Sequence, residues 1–321
     1  MTVLQLDPQA NENAEAALAR ARQGQPGPVL IAGGGIGGLA TALALARHGI
    51  GSHVLERRPA FHEDGAGIQL GPNGTRILRK LGVADALRPH VGIPEALSVR
   101  DGRTGKELAR LPLGRWIAMR HGAPYWVAHR KDLHNALLQA VRAEPLIALS
   151  MGFDAAEVAN DDRHVAVAAA NGQAWAGKAL IAADGIWSPI RKLLFDAAAP
   201  KFCGKSAARS VIRLDELPED FHRPETTIWL FGNAHVVHYP VSGGEELAVV
   251  VVLDDRHEIS DWGAPVPPSW VQQKMPACAE PLQALILQAR AWKQWALHTL
   301  PVPQQWTRGP IALLGDAAHP V

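Results

Sequence analysis

Short apolar runs alternate with helical patterns in the first part of the chain. The run Val29–Ala32 is uncharged and stops at glycine, which predicts a buried parallel strand. The apolar positions of residues 36–48 predict a helix closed by Gly49, and residues 53–56 predict a second strand. Residues 29–56 are therefore expected to form one βαβ unit.

The middle of the chain continues with mixed elements. Helices are predicted at about 73–81 and 130–143, and short strands at about 95–111, 146–176 and 178–183. The piece at 95–111 has the pattern of an antiparallel pair with a turn. These elements extend the βαβ unit without any internal repeat.

The pattern changes near residue 201. From about 201 to 253, polar and apolar positions alternate between glycine-containing turns, which predicts an antiparallel sheet. Helical patterns return at about 268–290, and residues 311–314 form a last predicted strand. Because parallel-sheet elements flank an antiparallel insertion, we expect a mixed α/β fold, a Rossmann-like domain with an inserted antiparallel-sheet domain.

This organisation gives expected domain boundaries. We expect a flexible extension with at most one short helix over residues 1–27, and a nucleotide-binding domain over 28–200 and 295–321. A substrate domain is expected over 201–294, with residues 95–125 contributing to its sheet.

Composition excludes several classes of protein. The 321 residues carry 32 lysines and arginines against 31 acidic residues, so no basic surface for nucleic acid or for a membrane is expected. Cys203 and Cys278 form no paired motif, which fits a reducing cytoplasm and argues against a disulfide scaffold or a zinc cluster. Val29–Ala46 is uncharged, but its glycines favour strand, turn and helix over a membrane span.

A glycine-rich turn is the first candidate site. Gly33, Gly35 and Gly38 form a G-x-G-x-x-G pattern between strand and helix, where glycine permits a tight turn and close approach to a pyrophosphate. Glu56, at the end of the second strand, suits a ribose diol, and an acid there favours FAD or NAD over a 2′-phosphate. A purely structural glycine turn is the alternative.

Two more strands end in an acid beside a glycine. Asp184-Gly185 and Gly315-Asp316 each follow an apolar strand, which suits hydrogen bonds to sugar hydroxyls or a position beside phosphates. An ordinary helix cap or strand-to-helix turn is the alternative for each motif taken alone.

The three motifs in this order resemble the FAD-dependent aromatic hydroxylases, single-component flavoprotein monooxygenases of the hydroxybenzoate-hydroxylase fold type. The resemblance covers about residues 28–321, and the segments Gly65–Asn73, Ala128–Leu133 and His235–Pro240 support it. Within the family, the chain is most similar to the salicylate, 3-hydroxybenzoate and 6-hydroxynicotinate hydroxylases.

The resemblance implies both a cofactor and a reaction. It places FAD against the glycine motif and five further side chains, those of Glu56, Arg57, Arg130, Asp184 and Asp316. It implies NADH or NADPH as a transient co-substrate, and a flavin hydroperoxide that attacks a small aromatic substrate with oxygen from O₂. It places Gln69 next to the flavin and implies a cytoplasmic monomer or homodimer without nucleic-acid or membrane partners.

His235 and Tyr239 are the candidate catalytic residues. Positions 235 and 239 share one face of a strand, whereas His238 points to the other face. The opposite directions, and the lack of a carboxylate at a suitable spacing, argue against a His235/His238 metal pair. Relatives use a His and a Tyr at this spacing to hold the substrate oxygen, and histidine is a suitable proton acceptor. A core histidine beside a structural tyrosine is the alternative.

Four residues are weaker candidates for the substrate pocket. They either line that pocket or only pack in the core: Gln69, Tyr125, Trp126 and Arg209.

The sequence also departs from the family pattern. Relatives continue past the Gly-Asp motif with a loop and a long helix, whereas this sequence ends at Val321. Ala208 and Thr299-Leu300 are smaller departures. An active hydroxylase completed by a separate C-terminal piece therefore competes with a truncated, impaired flavoprotein. An NAD(P)-dependent dehydrogenase is a third, disfavoured alternative.

Overall fold

The computed structural model describes residues 8–23, 27–61, 67–195, 198–259, 261–301 and 303–320. Gly65, Ala66 and Val321, which the sequence analysis used, lie outside this range. The helices are α1 (Pro8–Ala21), α2 (Ile36–Ala46), α3 (Pro72–Leu81), α4 (Ala84–Leu87), α5 (Gly114–His121), α6 (Arg130–Ala143), α7 (Pro189–Leu194), α8 (Pro268–Lys274) and α9 (Glu280–Gln288).

The strands are β1 (Val29–Ala32), β2 (Ser52–Glu56), β3 (Gly67–Leu70), β4 (Val91–Gly92), β5 (Ala96–Asp101), β6 (Glu107–Pro112), β7 (Trp126–His129), β8 (Ile147–Met151), β9 (Ala155–Asn160), β10 (Val165–Ala169), β11 (Ala174–Gly177), β12 (Ala179–Ala182), β13 (Lys201–Arg213), β14 (Glu225–Leu230), β15 (His235–Val241), β16 (Glu246–Asp254), β17 (Ala264–Val266), β18 (Trp292–Thr299), β19 (Thr307–Arg308) and β20 (Ile311–Leu313). The predicted helices and strands are present, with ends shifted by one or two residues. α2, for example, ends at Ala46, with Gly49 left-handed beyond it.

The chain divides into two compact units. The first comprises residues 1–62, 137–201 and 299–321, and the second comprises 63–136 and 202–298. The expected breaks near 200 and 295 lie close to those of the structure. The assignment of residues 63–94 and 126–136 to the nucleotide-binding domain does not match the structure, because β7 pairs with β3 and β4 and all three belong to the second unit.

The first unit contains a mainly parallel sheet with the strand order β19-β20-β12-β1-β2-β8. β1 is parallel to β2 and β12, and β12 is parallel to β20. The residues of β1 and β2 are all buried, as expected for parallel strands covered on both faces. Val29–Ala46 thus forms strand, turn and helix, and no helix of the described residues is long and apolar enough to cross a membrane.

Helix α1 corrects one prediction. Ala10, Ala14, Ala17 and Leu18 are buried and pack against the sheet formed by β9, β10 and β11. The one short helix that the extension was expected to allow is therefore present as Pro8–Ala21, but it is packed against the sheet rather than flexible. The alanines recur at helical spacing, and their small side chains let the helix approach the alanine-rich strands closely.

The second unit contains a mainly antiparallel sheet with the order β17-β18-β13-β16-β15-β14-β5-β6, in which β14 and β5 are parallel. One face of this sheet carries an apolar core closed by α8 and α9; its members include Val249, Val251, Leu282, Leu285 and Trp292. β5 and β6 form the predicted antiparallel pair, joined by a turn after Asp101. This unit matches the predicted antiparallel insertion.

Candidate functional site

The three predicted motifs meet at one edge of the parallel sheet, formed by the glycine turn, the Asp184 turn and the Gly315 turn, which we call the cofactor edge. Backbone hydrogen bonds join the carboxyl ends of neighbouring strands: Gly33 N–H donates to Leu55, Ala183 N–H donates to Ala32, and Leu314 N–H donates to Ala182. Neighbouring strands lie about 4.8 Å apart. The glycine turn, the Asp184 turn and the Gly315 turn are therefore adjacent, although they are far apart in sequence.

The glycine turn combines close packing with one open position. Gly33 has a φ of +105°, and a Cβ there would lie 2.3 Å from the Ala183 carbonyl oxygen. A Cβ at Gly38 would lie 2.0 Å from the Gly33 carbonyl oxygen, so both positions require glycine. A Cβ at Gly35 would meet no heavy atom of the described chain within 4 Å. Gly35 thus faces open space at the start of α2.

The amino end of α2 is suited to an anion. Gly35 caps the helix without a side-chain hydrogen bond, and the first turn contains no acidic residue. The first N–H groups of a helix lack partners within the helix, and the helix dipole makes this end positive. A phosphate placed beside Gly35 would accept from these groups.

Glu56 provides a fixed acceptor at the end of β2. Its carboxylate accepts from the Gly34 N–H at 2.8 Å and from the Arg58 N–H at 3.0 Å. The residue is 9% exposed. Both oxygens are held in place and keep lone pairs for a diol.

Asp184 carries an unsatisfied acceptor. Its Oδ2 accepts weakly from the Ile190 N–H at 3.4 Å, while its buried Oδ1 has no hydrogen-bond partner within the described residues. Burial raises the pKa of this carboxyl group. An unpaired buried acceptor costs about 1–3 kcal/mol, which a ligand hydroxyl would recover. These features together fit FAD. Its pyrophosphate suits the open space at Gly35 and the positive end of α2, and its hydroxyl groups suit the acceptors Glu56 and Asp184.

Arg191 is a site residue that the sequence analysis missed. It is 2% exposed, and its Nη1 donates to the Ala317 carbonyl at 3.1 Å while its Nη2 donates to the Ile186 carbonyl. Its guanidinium thereby forms hydrogen bonds with both the Asp184 turn and the Gly315 turn. The Ser188 hydroxyl, which accepts from the Arg191 N–H at 2.9 Å, caps α7. The only sequence signal was an arginine in a short, mainly apolar helix.

The remaining predicted cofactor residues lie in different surroundings. Arg57 and Asp316 are exposed, and Gly185 and Gly315 have φ values of +85° and +61° with open space around them in the described structure. Arg130 begins α6 in the second unit.

The candidate catalytic residues lie in the second unit on β15. His235 is half-buried and Tyr239 is 3% exposed. The strand register places Val237 and Arg209 on either side of Val250, so all of these side chains share one face. We call this face, which carries His235, Tyr239 and Arg209, the His235 face. His238 is buried in the opposite face, as predicted.

Tyr239 packs beside two other predicted residues. A Cβ at Gly67 would lie 2.2 Å from Tyr239 Cε2, so the ring rests on the Gly67 backbone. The Tyr125 hydroxyl donates to Gln69 Oε1 at 2.7 Å, and Tyr125 packs against the cluster that contains Tyr239. Burial raises the pKa of Tyr125 and of Tyr239 to about 12, and Arg209 opposes the rise at Tyr239.

Arg209 is a half-buried cation on the same face. Its Cζ lies 4.7 Å from the centroid of the Trp295 ring, and its Nε has no hydrogen-bond partner within the residues that the structure describes. Burial lowers its pKa, and the charge of Arg130 adds to this effect. Trp295 was not predicted, because one tryptophan in an alternating strand gives no sign of which side chain it contacts.

Burial lowers the pKa of His235, and the positive charge of Lys205 lowers it further. The ring is therefore neutral near neutral pH and able to accept a proton.

The cofactor edge fits FAD, and the family match below gives the class of protein, the FAD-dependent oxidoreductases. Residues 27–321 match the FAD binding domain family, and the chain belongs to that family. By family it is an FAD-dependent monooxygenase, which favours the predicted hydroxylase over the dehydrogenase alternative.

Two relatives illustrate the likeness. The chain is 35% identical over 293 residues to the 3-hydroxybenzoate 6-hydroxylase 1 of Aquipseudomonas alcaligenes, covering 91% of this chain and 74% of the relative. It is 35% identical over 306 residues to the 6-hydroxynicotinate 3-monooxygenase of Bordetella bronchiseptica, covering 93% and 78%.

Solved structures confirm the predicted fold class. A salicylate hydroxylase substrate complex matches with a TM-score of 0.77 and 24% identity, covering 92% of this chain and 74% of that one. Klebsiella pneumoniae HpxO complexed with FAD and uric acid matches with a TM-score of 0.76 and 24% identity, covering 91% and 73%. Both share the mixed α/β fold.

Proposed function

We propose that this chain is an NAD(P)H-dependent FAD monooxygenase that hydroxylates a small phenolic or hydroxypyridine carboxylate. The observation that carries the substrate class is Arg209, a half-buried residue with a buried, unpartnered Nε in the described structure, on the same face as Tyr239 and His235. A half-buried cation with an unpaired donor favours a carboxylate partner, and a phenol oxygen suits the tyrosine and the histidine. The names of both relatives specify a ring with a hydroxyl and a carboxylate.

The first unit would hold the cofactor. The backbone at Gly35 and the amino end of α2 would bind the pyrophosphate, Glu56 a ribose diol, and Asp184 a further hydroxyl. Arg57 and Asp316 of this unit are proposed contacts that follow from the family resemblance, and Arg130, which lies in the second unit, is proposed on the resemblance alone. When bound and reduced by NADH or NADPH, FAD supplies oxygen activation, so that one atom of O₂ enters the ring and the other leaves as water.

The second unit would prepare the substrate. Arg209 would bind the carboxylate, and the Tyr239 hydroxyl, protonated because its pKa is about 12, would donate to the phenol oxygen. His235, neutral near pH 7, would accept the phenol proton. Loss of this proton makes the ring more electron-rich and therefore more reactive toward an electrophilic oxygen. Tyr125 and Gln69 would fix the position of Tyr239 and border the ring.

FAD binding and substrate-stimulated NADH or NADPH oxidation test the function as a whole. The purified chain is incubated with FAD, separated from free flavin and examined for flavin absorbance. Oxidation is then measured with hydroxybenzoates, hydroxypyridine carboxylates and their methyl esters. We expect the acids, not the esters, to stimulate oxidation and to yield hydroxylated products. A chain that takes up no flavin, or oxidises NAD(P)H without hydroxylating any member of the panel, would contradict the proposal.

Arg209→Gln tests the carboxylate site. We expect KM for the acids to rise about thirtyfold, corresponding to a loss of at least about 2 kcal/mol, with FAD affinity unchanged. Arg213→Gln is the matched control, because Arg213 is exposed on the same strand and pairs with Asp215. Equal KM values in the two variants would show that Arg209 only packs against Trp295.

His235→Gln tests the proton acceptor. We expect hydroxylation of phenols to slow by about 10²–10⁴-fold while FAD binding stays intact. His121→Gln, at an exposed position at the end of α5, is the control. Loss of FAD from the His235 variant would support the alternative of a structural histidine.

A further inference from the structure

A second cavity lies in the second unit on the side of the antiparallel sheet opposite the His235 face. Its volume is about 180 Å³, and its lining includes the side chains of Arg100, Phe221, Arg223, Glu225, Trp229 and His238. Because His238 and Tyr239 are consecutive on β15, their side chains point to opposite faces. The cavity is therefore distinct from the proposed substrate site.

His238 gives this cavity an unsatisfied polar wall. The residue is 6% exposed, and neither ring nitrogen has a hydrogen-bond partner within the described residues. Trp229 Nε1 is likewise buried without a partner in the part of the chain that the structure describes. Burial, and then the charge of Arg100, lower the pKa of His238 to about 3, so the neutral ring offers one donor and one acceptor. Each unpaired group favours a ligand that forms its hydrogen bond.

The cavity also has aromatic walls. The His238 ring centroid lies 5.4 Å from that of Phe221 in an edge-to-face arrangement and 6.3 Å from that of Trp229. A dry cavity of about 150 Å³ already accommodates benzene, so a volume of about 180 Å³ admits a six-membered ring. The walls therefore suit a planar aromatic group.

Charged side chains border the cavity. Arg110 pairs with Glu225 and with Glu107, and the Ser98 hydroxyl also donates to Glu107 at 2.8 Å. Arg100 lies 3.9 Å from the same Glu107 carboxylate, its Nε donates to the Ser98 hydroxyl at 3.2 Å and its Nη1 to the Gly105 carbonyl at 3.4 Å, and its Cζ is 5.6 Å from the Trp229 ring centroid.

The described lining has two guanidinium groups, those of Arg100 and Arg223, and two carboxylates, those of Asp220 and Glu225, of which Glu225 is paired with Arg110. The lining is therefore neutral in sum, and Arg100 and Arg223 are the cations that an anion inside the cavity would meet.

We propose that this cavity is a second binding site, for a small aromatic carboxylate. The ring would pack between Phe221 and Trp229, the carboxylate would bind Arg100, and a ring substituent would hydrogen-bond to His238. This site is independent of the reaction proposed above, since none of its residues belongs to the His235 face.

Binding measurements by titration calorimetry test the proposal without depending on activity. The probes are benzoate, the neutral benzamide and the non-aromatic cyclohexanecarboxylate. The Arg209→Gln chain is titrated because it lacks the proposed carboxylate partner of the His235 face. We expect it to retain a benzoate site and to bind benzamide and cyclohexanecarboxylate at least about tenfold more weakly.

Two further substitutions in the Arg209→Gln chain locate the site. We expect Arg100→Met and His238→Phe each to weaken benzoate binding at least about tenfold. Arg100 is partly exposed, so its variant tests the site even where His238→Phe fails to fold, and circular dichroism checks the folding of both. Benzoate binding that Arg209→Gln alone abolishes, or that Arg100→Met leaves unchanged, would overturn the proposal. An absence of benzoate binding to the folded chain would show that the cavity holds only water.

Discussion

A methyl group added at Gly35 tests how closely the glycine turn approaches the cofactor. Gly35 has a φ of −73° and a ψ of −179°, an extended conformation that alanine adopts without strain. Its Cβ would meet no heavy atom of the described chain within 4 Å. Alanine is a poorer helix cap than glycine, so Gly35→Ala is expected to reduce the free energy of unfolding by only about 0.5–1 kcal/mol.

The same methyl group would occupy the space that a pyrophosphate needs at the start of α2. We expect FAD affinity to fall at least about tenfold, which is about 1.4 kcal/mol. Gly37→Ala is the matched control, because its Cβ would lie 3.5 Å from Leu314 Cδ2, an ordinary contact. Alanine should raise helix stability there by up to about 1 kcal/mol and leave FAD affinity unchanged.

Gly38→Ala provides the opposite case. Its Cβ would lie 2.0 Å from a backbone oxygen, so the turn must move, at a cost of at least about 1–3 kcal/mol. Urea unfolding of the FAD-free proteins gives the stabilities, and quenching of FAD fluorescence gives the affinities. The reasoning is refuted if Gly35→Ala binds FAD as tightly as the unsubstituted chain, or if Gly37→Ala weakens binding equally.

Three further outcomes follow from other contacts. Arg191→Met should reduce the free energy of unfolding by about 2–4 kcal/mol, because it leaves two buried carbonyls without their charged donor. Urea unfolding measures this loss. An effect below about 1 kcal/mol would contradict the role assigned to Arg191. Gly67→Ala should crowd the Tyr239 ring, lower the melting temperature and slow hydroxylation. Tyr239→Phe should slow hydroxylation without loss of stability. Equal melting temperatures for the two variants and the unsubstituted chain would argue against the Gly67 contact. The pKa of His238 is about 3 in the fold and 6.5 in the unfolded chain, so the unfolded chain takes up a proton that the fold excludes. Stability should therefore fall as pH decreases from about 6.5 toward 3, by up to about 1.4 kcal/mol per pH unit, and His238→Phe should flatten this dependence in thermal melts; parallel curves would show that His238 is not the group responsible.

The sequence predicted the motifs of the cofactor edge because each is local. A glycine turn after an apolar strand, or an acid directly after one, is visible within about ten residues. The strand order β20-β12-β1-β2 was not visible, since it depends on pairing between segments far apart in sequence. Arg191 was missed for the same reason, because its role depends on a hydrogen bond to the Ala317 carbonyl, which only the fold brings within reach.

Other differences have their own physical causes. The alanines of α1 suggested a loose tail, because small side chains give a weak apolar signal, although they allow close packing. Alternation along β15 placed His235 and Tyr239 together and His238 opposite, as the structure shows. Alternation could not predict the cavity behind His238, because its other walls come from β5, from residues 220–229 and from Pro281 of α9.

The strand order of the first unit has a consequence for synthesis. β1 and β2 leave the ribosome early, but β12 follows more than a hundred residues later, and β20 only after all of the second unit. At about 5–20 residues per second, the glycine turn waits many seconds for the neighbours that complete its edge. Until Gly315 and Asp316 emerge, the nascent chain exposes the side of β12 to which β20 pairs. FAD binding should therefore come late in synthesis, because it requires β1, β12 and β20, which are made at quite different times.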